Sequence, residues 1–168
     1  MIIRAYQGKA PKIAPTAFIA EGVVIIGDVE IGEDASVWFG SVLRGDVNFI
    51  RIGARTNIQD MTMIHVNSRT DPTVLEDEIT VGHRVTLHGC YIERGSLIGI
   101  GAILLDGVRV GAQSLVAAGS LLTPGTEIPP RSLVMGAPAK VKRELTDDEV
   151  AGLDRSWRNY VKLKNQYR

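Results

Sequence analysis

The chain has 168 residues, 45% of them apolar, with 19 Lys and Arg set against 19 Asp and Glu. That length suits one folded domain. The balanced charge gives no electrostatic footprint for nucleic acid or an acidic membrane surface, and no 18-residue apolar run offers a bilayer span.

Residues 1–12 read as a lead-in with a short strand. The opening Met1-Ile2-Ile3-Arg4-Ala5-Tyr6 lacks a signal-peptide pattern, and Cys90 is the single cysteine, so no intrachain disulfide is available. Both point to a reducing, cytoplasmic setting.

From Ile13 a six-residue beat takes over. Aliphatics recur at Ile13, Ile19, Ile25, Ile31, Val37 and Leu43, then at Ile52, Ile58 and Ile64. The beat returns at Ile92, Ile98, Leu104, Val110, Val116, Leu122, Ile128 and Val134. A helix needs a period near 3.6 and a strand a period of 2. Six keeps strand alternation but demands a corner after each short strand. Glycine sits where those corners fall, as in Ile31-Gly32, Ile52-Gly53, Val81-Gly82, Ile98-Gly99 and Val110-Gly111. Three hexads make one triangular coil of 18 residues, and no coil buries its apolar side alone, so the coils must stack. The predicted fold is mainly β, a single-stranded parallel β-helix over 1–140, closed by a helix within 141–168. The usual rule for parallel crossovers favours right-handed winding. Resemblance to hexapeptide-repeat proteins implies the left-handed form.

The beat breaks in three places. Extra residues lie between Leu43 and Ile52, around Arg44-Gly45-Asp46-Val47-Asn48-Phe49. The stretch from Ile64 to Val81 contains the polar Asn67-Ser68-Arg69-Thr70-Asp71-Pro72, read as a protruding loop near 67–78. Leu87 to Ile92 is one residue short of a hexad. All three defects lie near the histidines, and departures from a regular scaffold mark functional sites. Past the exit Met135-Gly136-Ala137-Pro138-Ala139-Lys140, Thr146 and Glu149 spell a capping box. Val150, Leu153, Trp157, Tyr160 and Val161 then form a helical stripe that packs on the prism.

The chain's three histidines, His65, His83 and His88, fall within 24 residues. His65 and His88 take the second place of their hexads and His83 the third, so they leave the prism in different directions. That arrangement suggests a site shared between subunits. Three neutral imidazoles with an open fourth position suit catalytic Zn2+, which acidifies water to a pKa of about 7. Fe2+ and Co2+ accept the same donors. The competing reading is three separate histidines, each satisfied by hydrogen bonds.

Several stretches carry a family likeness: Arg44-Gly45-Asp46, Gly53-Ala54-Arg55-Thr56-Asn57-Ile58-Gln59-Asp60, Val81-Gly82-His83, Leu87-His88-Gly89-Cys90 and the exit at 135–140. Here the chain resembles the γ-class carbonic anhydrases and their close bacterial relatives, over nearly its whole length. The resemblance implies a homotrimer with metal sites at the interfaces, His65 and His88 from one subunit and His83 from the next. It implies that Gln59 orients the reacting oxygens, with Asn57 beside it. Arg44, Asp46 and Asp60 would form a charge network at the interface, and Tyr160 would reach the site from the C-terminal helix. Cys90 would be a small filler. The implied reaction is reversible hydration of CO2 to bicarbonate. The chain departs from the fullest family pattern at Val47, where a glutamate is expected, and Glu76, Asp77 and Glu78 do not match its proton-shuttle loop. Two alternatives stand: a metal-dependent hydrolase of thioesters or other small acyl substrates, and a trimeric scaffold with a structural metal. Coenzyme A- and nucleotide-sugar-dependent acyltransferases share the repeat but work with one catalytic histidine, so the three clustered here count against that class.

Overall fold

The computed structural model describes residues 1–167, and they form a left-handed parallel β-helix capped by one helix. Its cross-section is a triangle with three ladders. The first, here the histidine face, stacks 24–27, 42–45, Met63–His65, Thr86–His88, Ile103–Leu104 and Leu121–Leu122. The rear face stacks Lys12–Ile13, 29–31, 50–52, Thr73–Leu75, Tyr91–Ile92, Arg109–Val110 and Glu127–Ile128. The third, the helix face, runs from Phe18–Ile19 through Ser36–Val37, Asn57–Ile58, Thr80–Val81, Leu97–Ile98 and Leu115–Val116 to Ser132–Gly136.

The beat explains the packing. Ile25, Leu43, Ile64, Leu87, Leu104 and Leu122 form one column inside the histidine face, each with no exposed surface. Matching columns rise inside the other two faces, and together they fill the prism. Burial of one such side chain contributes roughly 1.5–3 kcal/mol. Corners are as tight as the spacing demands. At Gly27 φ is +80°, and a Cβ there would lie 2.2 Å from the Gly45 carbonyl oxygen of the next coil. No other residue type fits that approach.

Each break in the beat has a structural counterpart. The ladder between Val24–Ile31 and Val42–Ile52 slips between Gly27 and Val29, so residues 46–49 bulge outward at the corner after the histidine face. The second break is shorter than the sequence reading proposed. Residues 67–72 leave the prism, but Thr73–Leu75 already rejoins the rear ladder, because Leu75 supplies the next inward aliphatic. The third break is closed by a tight turn at Gly89, with φ +60°. These defects stack on one corner of the prism, between the histidine and rear faces.

The exit carries a strand the sequence reading did not place, ahead of the helix expected within 141–168. Ala139–Glu144 forms an antiparallel hairpin with Ser132–Gly136, and α1 occupies Asp147–Lys164. The hairpin caps the last coil's open edge. Thr146 and Glu149 form the capping box. Leu145, Val150 and Leu153 pack on Leu97, Leu115 and Leu133, which lays α1 along the helix face. The buried Lys164 ammonium bonds the Thr16 carbonyl at 3.1 Å and Asp34 at 2.9 Å, pinning the far end of α1 to the first coils.

Candidate functional site

The histidines divide between two corners. His65 and His88 end adjacent strands of the histidine face and are in direct register. His83 follows Thr80–Val81, so it stands at the corner where the chain enters that face. The eighteen-residue coil dictates this: a residue reappears on the same edge one coil later, and His83 and His88 are only five apart. Among the described residues of one chain, no three His, Cys, Asp or Glu side chains converge to hold a metal ion.

At the trailing corner the histidines form a linear chain of contacts. Asp46 Oδ1 lies 3.0 Å from His65 Nε2, His65 Nδ1 lies 3.2 Å from His88 Nε2, and His88 Nδ1 lies 2.5 Å from Asp106 Oδ1. An ionised carboxylate only accepts, so each aspartate takes the N–H of its imidazole. Two nitrogen lone pairs are then left facing each other. That contact is repulsive unless a proton or a cation lies between them. Two imidazole nitrogens on a tetrahedral zinc at its usual bond length sit roughly 3.3 Å apart, so the pair fits two ligands of such an ion. Carboxylate–histidine contacts of this kind orient metal-binding rings and raise their basicity.

Charge at this corner is balanced locally. Burial pushes the Asp46 carboxyl up, but hydrogen bonds from His65 and Arg44 outweigh it and hold the group below the ordinary carboxylate range. For Asp106, burial likewise raises and the bonds from Asn67 and His88 more than compensate. Arg44 bonds Asp46 directly. The bulge at 46–49 brings Asp46 to His65, and the 67–72 loop brings Asn67 to Asp106 at 3.0 Å.

The leading corner carries a second constellation. His83 Nδ1 lies 2.8 Å from Asp60, which leaves Nε2 as its remaining nitrogen. Within one chain Asp60 therefore does not join Arg44 and Asp46. Gln59 is buried and donates from Nε2 to Asn57 Oδ1 at 3.2 Å. Asn57 in turn donates to the Ile79 carbonyl and to Thr80 Oγ1, and Thr80 contacts Ser156 of α1 at 3.2 Å. Because Asn57 spends its amide protons inward, its oxygen must accept from Gln59, which directs Gln59 Oε1 away from the network. Tyr160 stands edge-on to Trp38 at 5.5 Å. Burial first, and the negative charge of Asp60 second, lift its phenol above the ordinary value.

Sequence reasoning missed two contributors. Asp106 lies eighteen residues after His88, one coil on, so the repeat itself carried the signal. Ser156 had none, since its contact depends on how α1 docks. Cys90 is buried, and desolvation pushes its thiol up to about 12, which leaves it an inert filler.

The fold and these corners define a hexapeptide-repeat β-helix with paired carboxylate–histidine clusters. No protein-family model matches the chain. It is 52% identical to a carbonic anhydrase of Geobacillus kaustophilus, over 99% of this chain and 90% of that protein. A Bacillus cereus structure described as a candidate acetyltransferase superposes with a TM-score of 0.97 at 46% identity, covering 99% of this chain and 96% of that one. A hexapeptide transferase family protein from Anaplasma phagocytophilum gives 0.95 at 41% identity, over 99% and 98% of the two chains. The chain belongs to the γ-carbonic-anhydrase-like family of hexapeptide-repeat proteins. No helix among the described residues is long and apolar enough to cross a membrane.

Proposed function

We propose that the protein is a homotrimeric metalloenzyme that hydrates CO2 to bicarbonate at sites shared between neighbouring copies. The observation that carries this reading is the 3.2 Å approach of His65 Nδ1 to His88 Nε2 at one edge of a face whose other edge bears His83. Between those edges the surface is apolar. Met61, Met63 and Ile103 are each at least 39% exposed, a patch suited to burial against another copy. In a closed ring each interface joins two different edges. The trailing corner of one copy then meets the leading corner of the next, bringing His65 and His88 to the neighbour's third imidazole.

His65, His83 and His88 would hold a divalent cation, Zn2+ first and Fe2+ or Co2+ as substitutes. Such an ion supplies acidified water near neutral pH and polarises an attacked carbon's oxygen. The chain's own residues do the rest. Asp46, Asp60 and Asp106 fix the ring tautomers. Gln59, held by Asn57, offers Oε1 to orient the attacking water, and Tyr160 closes the pocket over Asp60. Arg44 neutralises Asp46. Val47 is exposed and carries no proton away, which predicts modest turnover. The test is metal analysis of protein purified without added metal, combined with sedimentation and a CO2-hydration assay. Metal-free monomer with no turnover would refute the reading. A trimer that keeps its metal but turns over nothing is a scaffold.

A second reading keeps the same site and changes the electrophile. Water adds to the carbonyl carbon of an acyl thioester, the C–S bond breaks, and the thiol leaves with a proton as the free acid forms. It draws support from the acetyltransferase description of the Bacillus cereus structure and from the groove described next.

A further inference from the structure

Beside Gln59 the surface opens into a groove of about 430 Å³ between α1 and the leading corner. Its inner end is polar, with Gln59, Thr80 and Ser156. Beyond that its walls are Leu97, Ile100, Leu115 and the small residues Ala117 and Ala118. The groove crosses three coil spacings, from Gln59 to Ala118, or roughly 14 Å at the usual strand separation. CO2 has three heavy atoms and needs little more room than one or two waters, roughly 30–60 Å³. Volumes above about 300 Å³ hold much larger organic ligands. Most of this space is therefore surplus to hydration of CO2.

We infer that the groove binds the straight hydrocarbon chain of an acyl substrate, with its carbonyl carbon at the Gln59 end. This rests on the second reading above. Three observations select the occupant. The groove is continuous with the Gln59 end of the candidate site, so a ligand lying in it delivers its head to the water-activating residues. The polar groups gather at that end alone, where a carboxyl or carbonyl oxygen meets the Ser156 hydroxyl, whose own oxygen accepts from Thr80. The remaining side chains along the walls carry no hydrogen-bonding groups, and the backbone amides of Gly99 and Ala117 are spent on the coil-to-coil ladder. A sugar or nucleotide would find no side-chain partner there for its many donors and acceptors, whereas a hydrocarbon chain needs none.

The probe is a series of linear carboxylates, from butyrate to decanoate, titrated calorimetrically into the full-length protein as purified. Binding is expected to tighten about fourfold for each added methylene until the groove is filled, then level off. Ala118→Phe puts a ring into the groove from an exposed corner position and is expected to abolish the length dependence. Ala117→Leu serves the same end if the first variant melts early. Affinity independent of chain length, or a length dependence that survives both substitutions, overturns the inference. So does the absence of binding at every length, the result if a neighbouring copy fills the groove. The measurement needs no turnover. A protein that fails the metal and hydration tests yet binds decanoate through Ala118 keeps the groove and loses the proposed chemistry. Retained hydration with no length dependence does the reverse.

Discussion

A shared site can be tested by dividing its parts between two broken chains. His83→Ala keeps the His65–His88 pair and removes the partner edge; His88→Ala breaks the pair and keeps His83. Alone, each variant has three defective interfaces per ring. Co-expressed in equal amounts, the two assemble at random. An interface is whole when the copy offering its trailing corner carries His83→Ala and the neighbour offering its leading corner carries His88→Ala. Each condition holds for half the copies, so about one quarter of all sites in a head-to-tail ring are restored. Metal content and CO2-hydration rate of the mixed rings are both expected at about one quarter of the unsubstituted protein, against background for either variant alone. The separation of the histidines in the fold underlies that figure: His65 and His88 are register partners, while His83 sits across the histidine face. Mixed rings that stay at background would show that one chain supplies all three imidazoles or that none binds metal. Either result removes the shared site.

Asp106→Ala frees His88 to rotate and to take the wrong tautomer, and metal affinity is expected to fall about 10–100-fold in chelator competition with little change in melting temperature. Leu87→Ala empties a fully buried position beneath His88 and should cost about 2–5 kcal/mol in denaturant unfolding. Gly27→Ala meets the Gly45 carbonyl oxygen in a left-handed backbone region, so loss of roughly 2–4 kcal/mol or failure to fold is expected by the same measurement. Arg143 first, with the Thr146 amide, holds Glu149 down at about 2. A depressed carboxylate stabilises above its ordinary value near 4.3 and loses that contribution as pH falls through the folded value. Docking of α1, followed by Trp157 fluorescence, should therefore weaken between about pH 4 and 2, and Glu149→Gln should flatten that dependence.

The prism was legible because its cause is periodic. Between the breaks every inward aliphatic repeats at six, so Leu104 and Leu122, one coil apart, belong to one column on the sequence alone. The same arithmetic reaches part of the site. His88 and Asp106 differ by one coil, and a strict reading of the repeat pairs them. His65 and Asp46 differ by nineteen, which the bulge at 46–49 absorbs. His83 and Asp60 differ by twenty-three, because the 67–72 loop lengthens that coil. Breaks in the beat therefore do double duty. They hide the pairings from simple counting, and they are what moves Asp46 and Asn67 out to the corner where His65 and Asp106 need partners. The hairpin at Ala139–Glu144 was illegible for a different reason. It is antiparallel, lies outside the repeat, and forms to cover an edge that exists only once the coils have stacked.

The two corners are unequal, and that inequality bears on what the site does. At the trailing corner both aspartates are held ionised by surrounding donors, which commits the ring protons, and the two remaining nitrogens already approach within one chain. The His83 side chain is 42% exposed and holds a single carboxylate, while Gln59 beside it is locked through Asn57 and Thr80 to α1. In the proposed site one copy would bring a preorganised pair of ligands, and its neighbour a third ligand together with the groups that meet substrate. Substitutions on α1 or in the groove should accordingly change KM and substrate preference more than metal affinity, and substitutions at Asp46 or Asp106 the reverse. Ser156→Ala makes the comparison cleanly, since it removes one hydroxyl from the groove's polar end and touches no histidine. A fall in metal content on that substitution equal to the fall in turnover would erase the distinction between a metal-holding edge and a substrate-holding edge.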